Sequence, residues 1–196
     1  MPVHELLQDL MMPSPFGWPK QPDTTGFIEA YSEPHRVYHG IDHIRHVLAA
    51  CAELNETYDL GQSLLLAAWY HDFVYVVGSK MNEEMSAAVA LYRTGNKEIA
   101  EAVADTATHA KPGSLLSACL IDADLQGLGT DFYESNRLKV KAEYGGIDEE
   151  LWRSGRRKFL ESYLGRKRLF WTAWGAQYEA PARDNMESEL DTLRHS

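Results

Sequence analysis

The stretch "QSLLLAAWYHDFVY", residues 62 to 75, decides how this chain is read. Leucines, alanines, Trp69 and Tyr70 make a segment that is apolar on nearly every side, which predicts a short buried helix. The segment ends in His71 and Asp72. An ionised carboxylate at the end of a buried helix costs several kcal/mol unless it is paired or bound to a cation. Asp also faces the negative end of the helix dipole there, which a bound cation would relieve. "FVYVVG" reads as an extended loop, since one strand-like run cannot build a sheet.

Helical signals surround this segment. Ile44, Val47, Leu48, Cys51 and Leu54 recur at three- and four-residue steps and predict a helix from about Gly40 to Asn55, separated from the buried one by Gly61. Downstream, Asn82 and Asn96 are expected to cap two helices, with Gly95 and Lys111-Pro112-Gly113 as their stops. "SLLSACLIDADLQGLG" reads as another helix, followed by one from Thr130 to Gly145 and one that opens on the acids Asp148, Glu149 and Glu150 and ends at Gly165. "LFWTAWGAQYEA" and "PARDNMESELDTLRH" read as two closing helices, with Pro181 in a first turn. The expectation is an all-α domain of eight or nine helices over residues 27–196. It follows an irregular Pro- and Gly-rich segment over 1–26; Thr24 or Thr25 is expected to cap the next helix, "FIEAY", and Pro34 to stop it.

Bulk properties narrow the function. The chain has 196 residues, 44% of them hydrophobic, and a formal net charge of −10. This suits one compact domain and disfavours a nucleic-acid backbone as partner. No run of 18 apolar residues predicts a membrane span, and the N-terminus lacks a signal-peptide pattern. Cys51 and Cys119 read as reduced core residues, in keeping with a cytoplasmic location.

Histidines and aspartates carry the chemical signal. In "YHGIDHIRHV", His39 and His43 are four residues apart and share a helix face, with His46 nearby. His43 lies at the edge of the apolar stripe and is the one best placed to point inward. In "LIDADLQGLG", Asp122 and Asp124 diverge by about 200° around a helix, so only one of them can aim at a given site. His109 closes a helix, where the dipole favours a protonated ring, and is a further metal- or substrate-binding candidate. Imidazole and carboxylate together suit Mn, Fe, Zn, Co or Ni, and Mg as well.

A histidine, then adjacent His-Asp, then a later Asp, on an all-helical background, resembles the HD superfamily of metal-dependent phosphohydrolases. The resemblance runs from about residue 27 to the C-terminus. It rests on Tyr38-His39-Gly40 through His43-Ile44, His71-Asp72-Phe73-Val74-Tyr75, Asn82-Glu83-Glu84-Met85-Ser86-Ala87, Asp122 to Leu125, and Ala182-Arg183 with Asn185. It implies a helical bundle with one or two divalent ions per chain between core helices, held by His43, His71, Asp72 and Asp124. Asp124 is preferred over Asp122 because Asp-Leu matches the family's late Asp. Asp72 would bridge a second ion. By similarity to cyclic nucleotide phosphodiesterases, His39 would protonate the leaving group. Those enzymes carry a further histidine where Tyr75 stands, and Glu83 is the candidate to replace it in the acid–base relay. Arg137 and Arg183 are candidate phosphate contacts, and Tyr38 could stack on a base, whereas Trp69 suits the core. The implied substrate is a nucleotide or another small phosphorylated molecule. An HD-type di-iron oxygenase using His39, His46 or His109, and a non-catalytic helical metal-binding module, stay open. Homo-oligomers are compatible with all three readings.

Overall fold

A computed structural model describes residues 25–195, with the side chain of Thr25 excepted. The expected irregular segment and the Thr24 cap therefore lie outside the described residues. Within them there are nine α-helices, one short 3-10 turn and no strand, so the fold is all-α. The helices are α1 (Thr25–Tyr31), α2 (Ile41–Tyr58), α3 (Gly61–His71), α4 (Asn82–Thr94), α5 (Lys97–Asp105), α6 (Leu115–Leu125), α7 (Tyr133–Glu143), α8 (Glu149–Leu164) and α9 (Ala176–His195). The 3-10 turn, Gln126–Gly129, continues α6. No described helix is long and apolar enough to cross a membrane.

Two cores share α6. Helices α1 to α5 close a first core around Phe27, Tyr31, Ile44, Leu54, Leu64 and Ile99. The second gathers Tyr133, Leu160, Leu169, Phe170 and Met186 from the C-terminal part of the chain. Leu116, Cys119, Leu120 and Ala123 of α6 face the first core, while Ile121 and Leu125 face the second. A helix apolar all round has no solvated face, which is how both of its aspartates come to lie inside. Asp122 is fully buried, and the Asp124 side chain is only 15% exposed. Cys51 and Cys119 are free buried thiols.

Several expected boundaries shift, most of them because a side chain binds groups outside its own helix. Asn82 is the first residue of α4 and does not cap it. Its side chain instead accepts from Val76 N and donates to Val76 O, both at 3.0 Å, and Ser86 Oγ accepts from Val74 N. The motif Asn82…Ser86 thus pins the loop after His71-Asp72. Asn96 does cap α5, accepting from Glu98 N and Ile99 N. That helix ends at Asp105 rather than at Lys111, because Asp105 turns its carboxylate to Gly113 N and Ser117 Oγ. Residues 168–175 form no helix. Glu179 accepts from Leu169 N and Phe170 N, and Asp122 accepts from Trp171 N and Thr172 N, so two carboxylates replace helical partners. Pro181 lies inside a single closing helix, α9, rather than in the first turn of a separate one.

Candidate metal centre

His71 ends α3, and the alanine-rich turn before it lets the imidazole fold back on its own helix. Nδ1 lies 2.6 Å from Ala68 O. A carbonyl only accepts, so Nδ1 carries the proton and Nε2 presents either a lone pair or a second proton. Fixing one ring nitrogen on a backbone carbonyl in this way is the usual support for a metal-binding histidine. His43 Nε2, from the first turn of α2, lies 3.1 Å from His71 Nε2. Asp72 Oδ2 is 3.1 Å from His71 Nε2 and 3.5 Å from His43 Nε2. Asp124 Oδ1 is 3.2 Å from His43 Nε2 and 3.7 Å from His71 Nε2. His43, His71 and Asp72 are buried and form a group that could hold a metal ion, each offering a donor atom within 4.8 Å of the others. Asp124 stands against the two imidazoles of that group.

Two nitrogen lone pairs at 3.1 Å repel unless a proton or a cation lies between them or beside both. Without a cation the cluster uses protons. Burial alone would lower the His71 imidazole, but the Asp72 carboxylate, with help from Asp124, raises it to about 9. Burial would likewise raise the Asp72 carboxyl, but His71 and its histidine neighbours hold it well below the usual range. Asp124 is depressed too, against its burial, by hydrogen bonds to His109 and His43. The donor set therefore behaves as a strong site for positive charge. Two imidazole nitrogens and two carboxylates fit a borderline divalent ion.

Asp122 has a different fate. Its carboxylate takes Trp171 N, Thr172 N and Thr172 Oγ1, each at 2.7 Å. Gly175 packs so closely that an added Cβ would stand 2.2 Å from Asp122 Oδ2. Asp122 is a clamp for the 171–175 turn.

His109 joins the cluster from the side. It has a positive φ of 53°, which swings Nε2 to 2.7 Å from Asp124 Oδ2. The Tyr163 hydroxyl lies 3.0 Å from its Nδ1. A tyrosine donating to Nδ1 and Nε2–H donating to Asp124 satisfies every group in this line.

His39 lies apart from the donor group. Its Nδ1 is 2.6 Å from Glu143 Oε1, and its ring stacks on Tyr75 with centroids 4.4 Å apart. Glu143 is the residue that sequence reasoning missed. It is buried on the last turn of α7, accepts from Tyr38 N and His39 N, and is also bonded by the Tyr75 hydroxyl. Burial would raise its carboxyl, but the hydrogen bond to His39 and the His39 charge lower it to about 2. Burial would lower His39, but the Asp72 and Glu143 carboxylates raise it. Glu83, expected as the relay acid, is not bonded to His39; it is half-buried in the first turn of α4, where its field reaches the hydroxyls of Tyr144 and Tyr163.

Arg36 was also missed. Its buried guanidinium donates to Asp72 O at 2.6 Å, Phe73 O at 2.9 Å and His39 O at 3.4 Å. It ties the end of α3 to the segment entering α2 and places a cation at the α3 C-terminus, where the dipole needs one. Arg183 is corrected. Its nitrogens go to Glu179, Leu164 O and Arg166 O, so it braces the loop after α8 and lines neither cavity described next.

Two cavities meet at Asp124. The smaller, of about 150 Å³, is lined by His43, His46, Asp42 and Lys139. The larger, of about 410 Å³, opens past His39, His109 and Asp124 toward Arg137 on α7 and the wall of α8. His46 faces the smaller cavity and stacks on Phe132. In comparisons with protein-family models, curated proteins and solved structures, nothing matches this chain.

Proposed function

We propose that the chain is a metal-dependent phosphohydrolase acting on a nucleotide or another small phosphate ester. The observation that carries this reading is the convergence of His43 Nε2, His71 Nε2, Asp72 Oδ2 and Asp124 Oδ1 beside a cavity large enough for a small molecule. The same residues, in the same chain order, carry the resemblance to the HD superfamily. His43, His71, Asp72 and Asp124 would hold the ion. A divalent ion supplies Lewis acidity, which acidifies water toward neutrality and offsets the charge of a phosphoryl group.

The remaining chemistry belongs to side chains of the chain itself. Glu143 holds His39 Nδ1, which leaves Nε2 as the donor on a ring that lines the larger cavity. A ring raised by two carboxylates keeps its proton to higher pH than a free imidazole and can deliver it to a leaving oxygen. His109 steadies the outer oxygen of Asp124 while Oδ1 faces the histidine pair.

The test is direct. Protein purified without chelator is analysed for bound metal, then assayed for phosphate release from a panel of nucleotides and sugar phosphates with Mn, Co, Ni and Mg. The expected result is metal near one or two equivalents and turnover with at least one ion, both lost in Asp72→Ala. No turnover with any ion, together with a metal content unchanged in Asp72→Ala, overturns the reading.

A further inference from the structure

The larger cavity carries information about what is attached to the phosphoryl group. Its walls are chiefly apolar, and Tyr38, Tyr133, Tyr144, Trp152, Phe159 and Tyr163 give them aromatic faces. Two arginines reach it, and each already holds a carboxylate. Arg137 donates to Glu134 from Nε at 2.8 Å and from Nη2 at 2.5 Å. Arg156 donates to Glu189 from Nε and Nη2, both at 2.9 Å. No lysine is among the lining residues. A row of phosphates extending from the donor cluster would therefore meet aromatic faces and guanidiniums that are already paired. A single phosphoryl group has its charge balanced at the cluster itself.

Gly155 is an independent observation. It sits in the middle of α8, where glycine is the poorest helix former after proline. Its φ is not in the left-handed region, and an added Cβ would meet nothing within 4 Å. Neither backbone geometry nor packing within the chain calls for glycine here. Gly155 is exposed and lines the cavity, so a long side chain at this position can reach into the space.

We propose that the cleft between α7 and α8 binds a flat aromatic group, and that the substrate is a phosphomonoester of that group rather than a polyphosphate. The phosphoryl end of this assignment rests on the phosphohydrolase reading; the aromatic end rests on the cleft alone. Arg156 supplies the polar contact. Nε and Nη2 are fixed by Glu189 and Tyr133, and Nη1, which has no hydrogen-bond partner among the described residues, donates to an acceptor on the aromatic group. Aryl phosphates and nucleoside monophosphates share this chemistry.

The experiment is isothermal titration of the full chain, equilibrated with excess manganese, with four probes: 1-naphthyl phosphate, adenosine monophosphate, adenosine diphosphate and glycerol 3-phosphate. The expected result is that one or both aromatic monophosphates bind about tenfold or more tighter than glycerol 3-phosphate, as aromatic stacking provides, and tighter than the diphosphate. The tighter of the two identifies the source. Gly155→Leu, which gains helix propensity and so keeps the fold, should abolish this advantage while leaving metal content unchanged. Similar affinities for all four probes, a diphosphate at least as tight as the monophosphate, or an unaltered preference in Gly155→Leu overturns the proposal. The hydrolase reading is decided separately, by the metal content and the phosphate-release panel given above, and the cleft assignment is decided by these affinities.

Discussion

The Nε2 atoms of His43 and His71 lie 3.1 Å apart, although 28 residues separate the two rings. The Nδ1 proton of His71 is committed to Ala68 O, so its ring cannot turn away without leaving a buried donor unpaired. A cation bound to this pair and its carboxylates stabilises the folded chain by mass action. Manganese at about 100 times its Kd should contribute about 2.7 kcal/mol, which raises Tm by roughly 5–10 °C for a chain of this size. Differential scanning calorimetry checks this. His71→Ala and Asp72→Ala should show no rise with metal, and a wild-type Tm indifferent to every divalent ion would refute the assignment.

The two aspartates of α6 should separate cleanly on substitution. Asp124→Asn removes a donor facing both imidazoles and should cost most of the bound metal, read by elemental analysis. Asp122→Asn weakens a carboxylate that receives three hydrogen bonds at the 171–175 turn, so it should destabilise the fold by about 1–3 kcal/mol with metal content unchanged. Urea unfolding measures the second effect. Equal metal loss in both variants would contradict the division of labour.

Glu143→Gln tests the His39 donor. On the proposed reading His39 would act as an acid only while protonated, so the rate should fall as pH rises through its pKa. The Asp72 and Glu143 carboxylates raise that pKa above 6.5. Removing the Glu143 charge should move the basic limb of the pH–rate profile to lower pH and reduce turnover by about tenfold to a hundredfold at pH 8. A limb that does not move would assign the proton to another group.

The same substitution has a pH signature in stability. The Glu143 carboxyl is lowered from 4.5 to about 2, so its stabilising contribution is complete above about pH 4.5 and is lost as pH falls toward 2. The Tm gap between wild type and Glu143→Gln should therefore be widest above pH 5 and narrow progressively below it. A gap that is constant from pH 7 to pH 3 would show that the carboxylate charge contributes nothing.

Arg36→Met should weaken both fold and site. The guanidinium satisfies the carbonyls of Asp72 and Phe73, which become buried and unpaired without it. A loss of about 2–4 kcal/mol is expected in urea, with looser metal binding because the end of α3 is no longer tied to the entry of α2. A variant as stable as wild type would remove Arg36 from this role.

Much of the fold was legible because its signals are local. The three- and four-residue spacing of Ile44, Val47, Cys51 and Leu54 defines α2, and the Gly95-Asn96 pair ends one helix and caps the next at the positions where the structure has them. The placement of His43 at the edge of the apolar stripe and the burial of His71-Asp72 at a helix tip also follow from local pattern. Where expectation and structure part, a side chain binds groups outside its own helix. Asn82 reaches back to Val76, Asp122 and Glu179 hold the 168–175 segment out of helix, and Arg183 is spent on the carbonyls of Leu164 and Arg166.

What the sequence determined by itself is an all-helical chain with a histidine at the edge of one apolar stripe and a His-Asp pair ending a buried helix, because helix periodicity and burial are written in neighbours three and four residues apart. What only the tertiary structure decided is which aspartate of α6 faces that pair, that Glu143 rather than Glu83 holds His39, and that Arg36 closes the end of α3. Each of those choices joins atoms 36 to 104 residues apart or turns on how α6 is rotated between two cores. Spacing along one helix restricts such a rotation, and only packing against the rest of the molecule selects it.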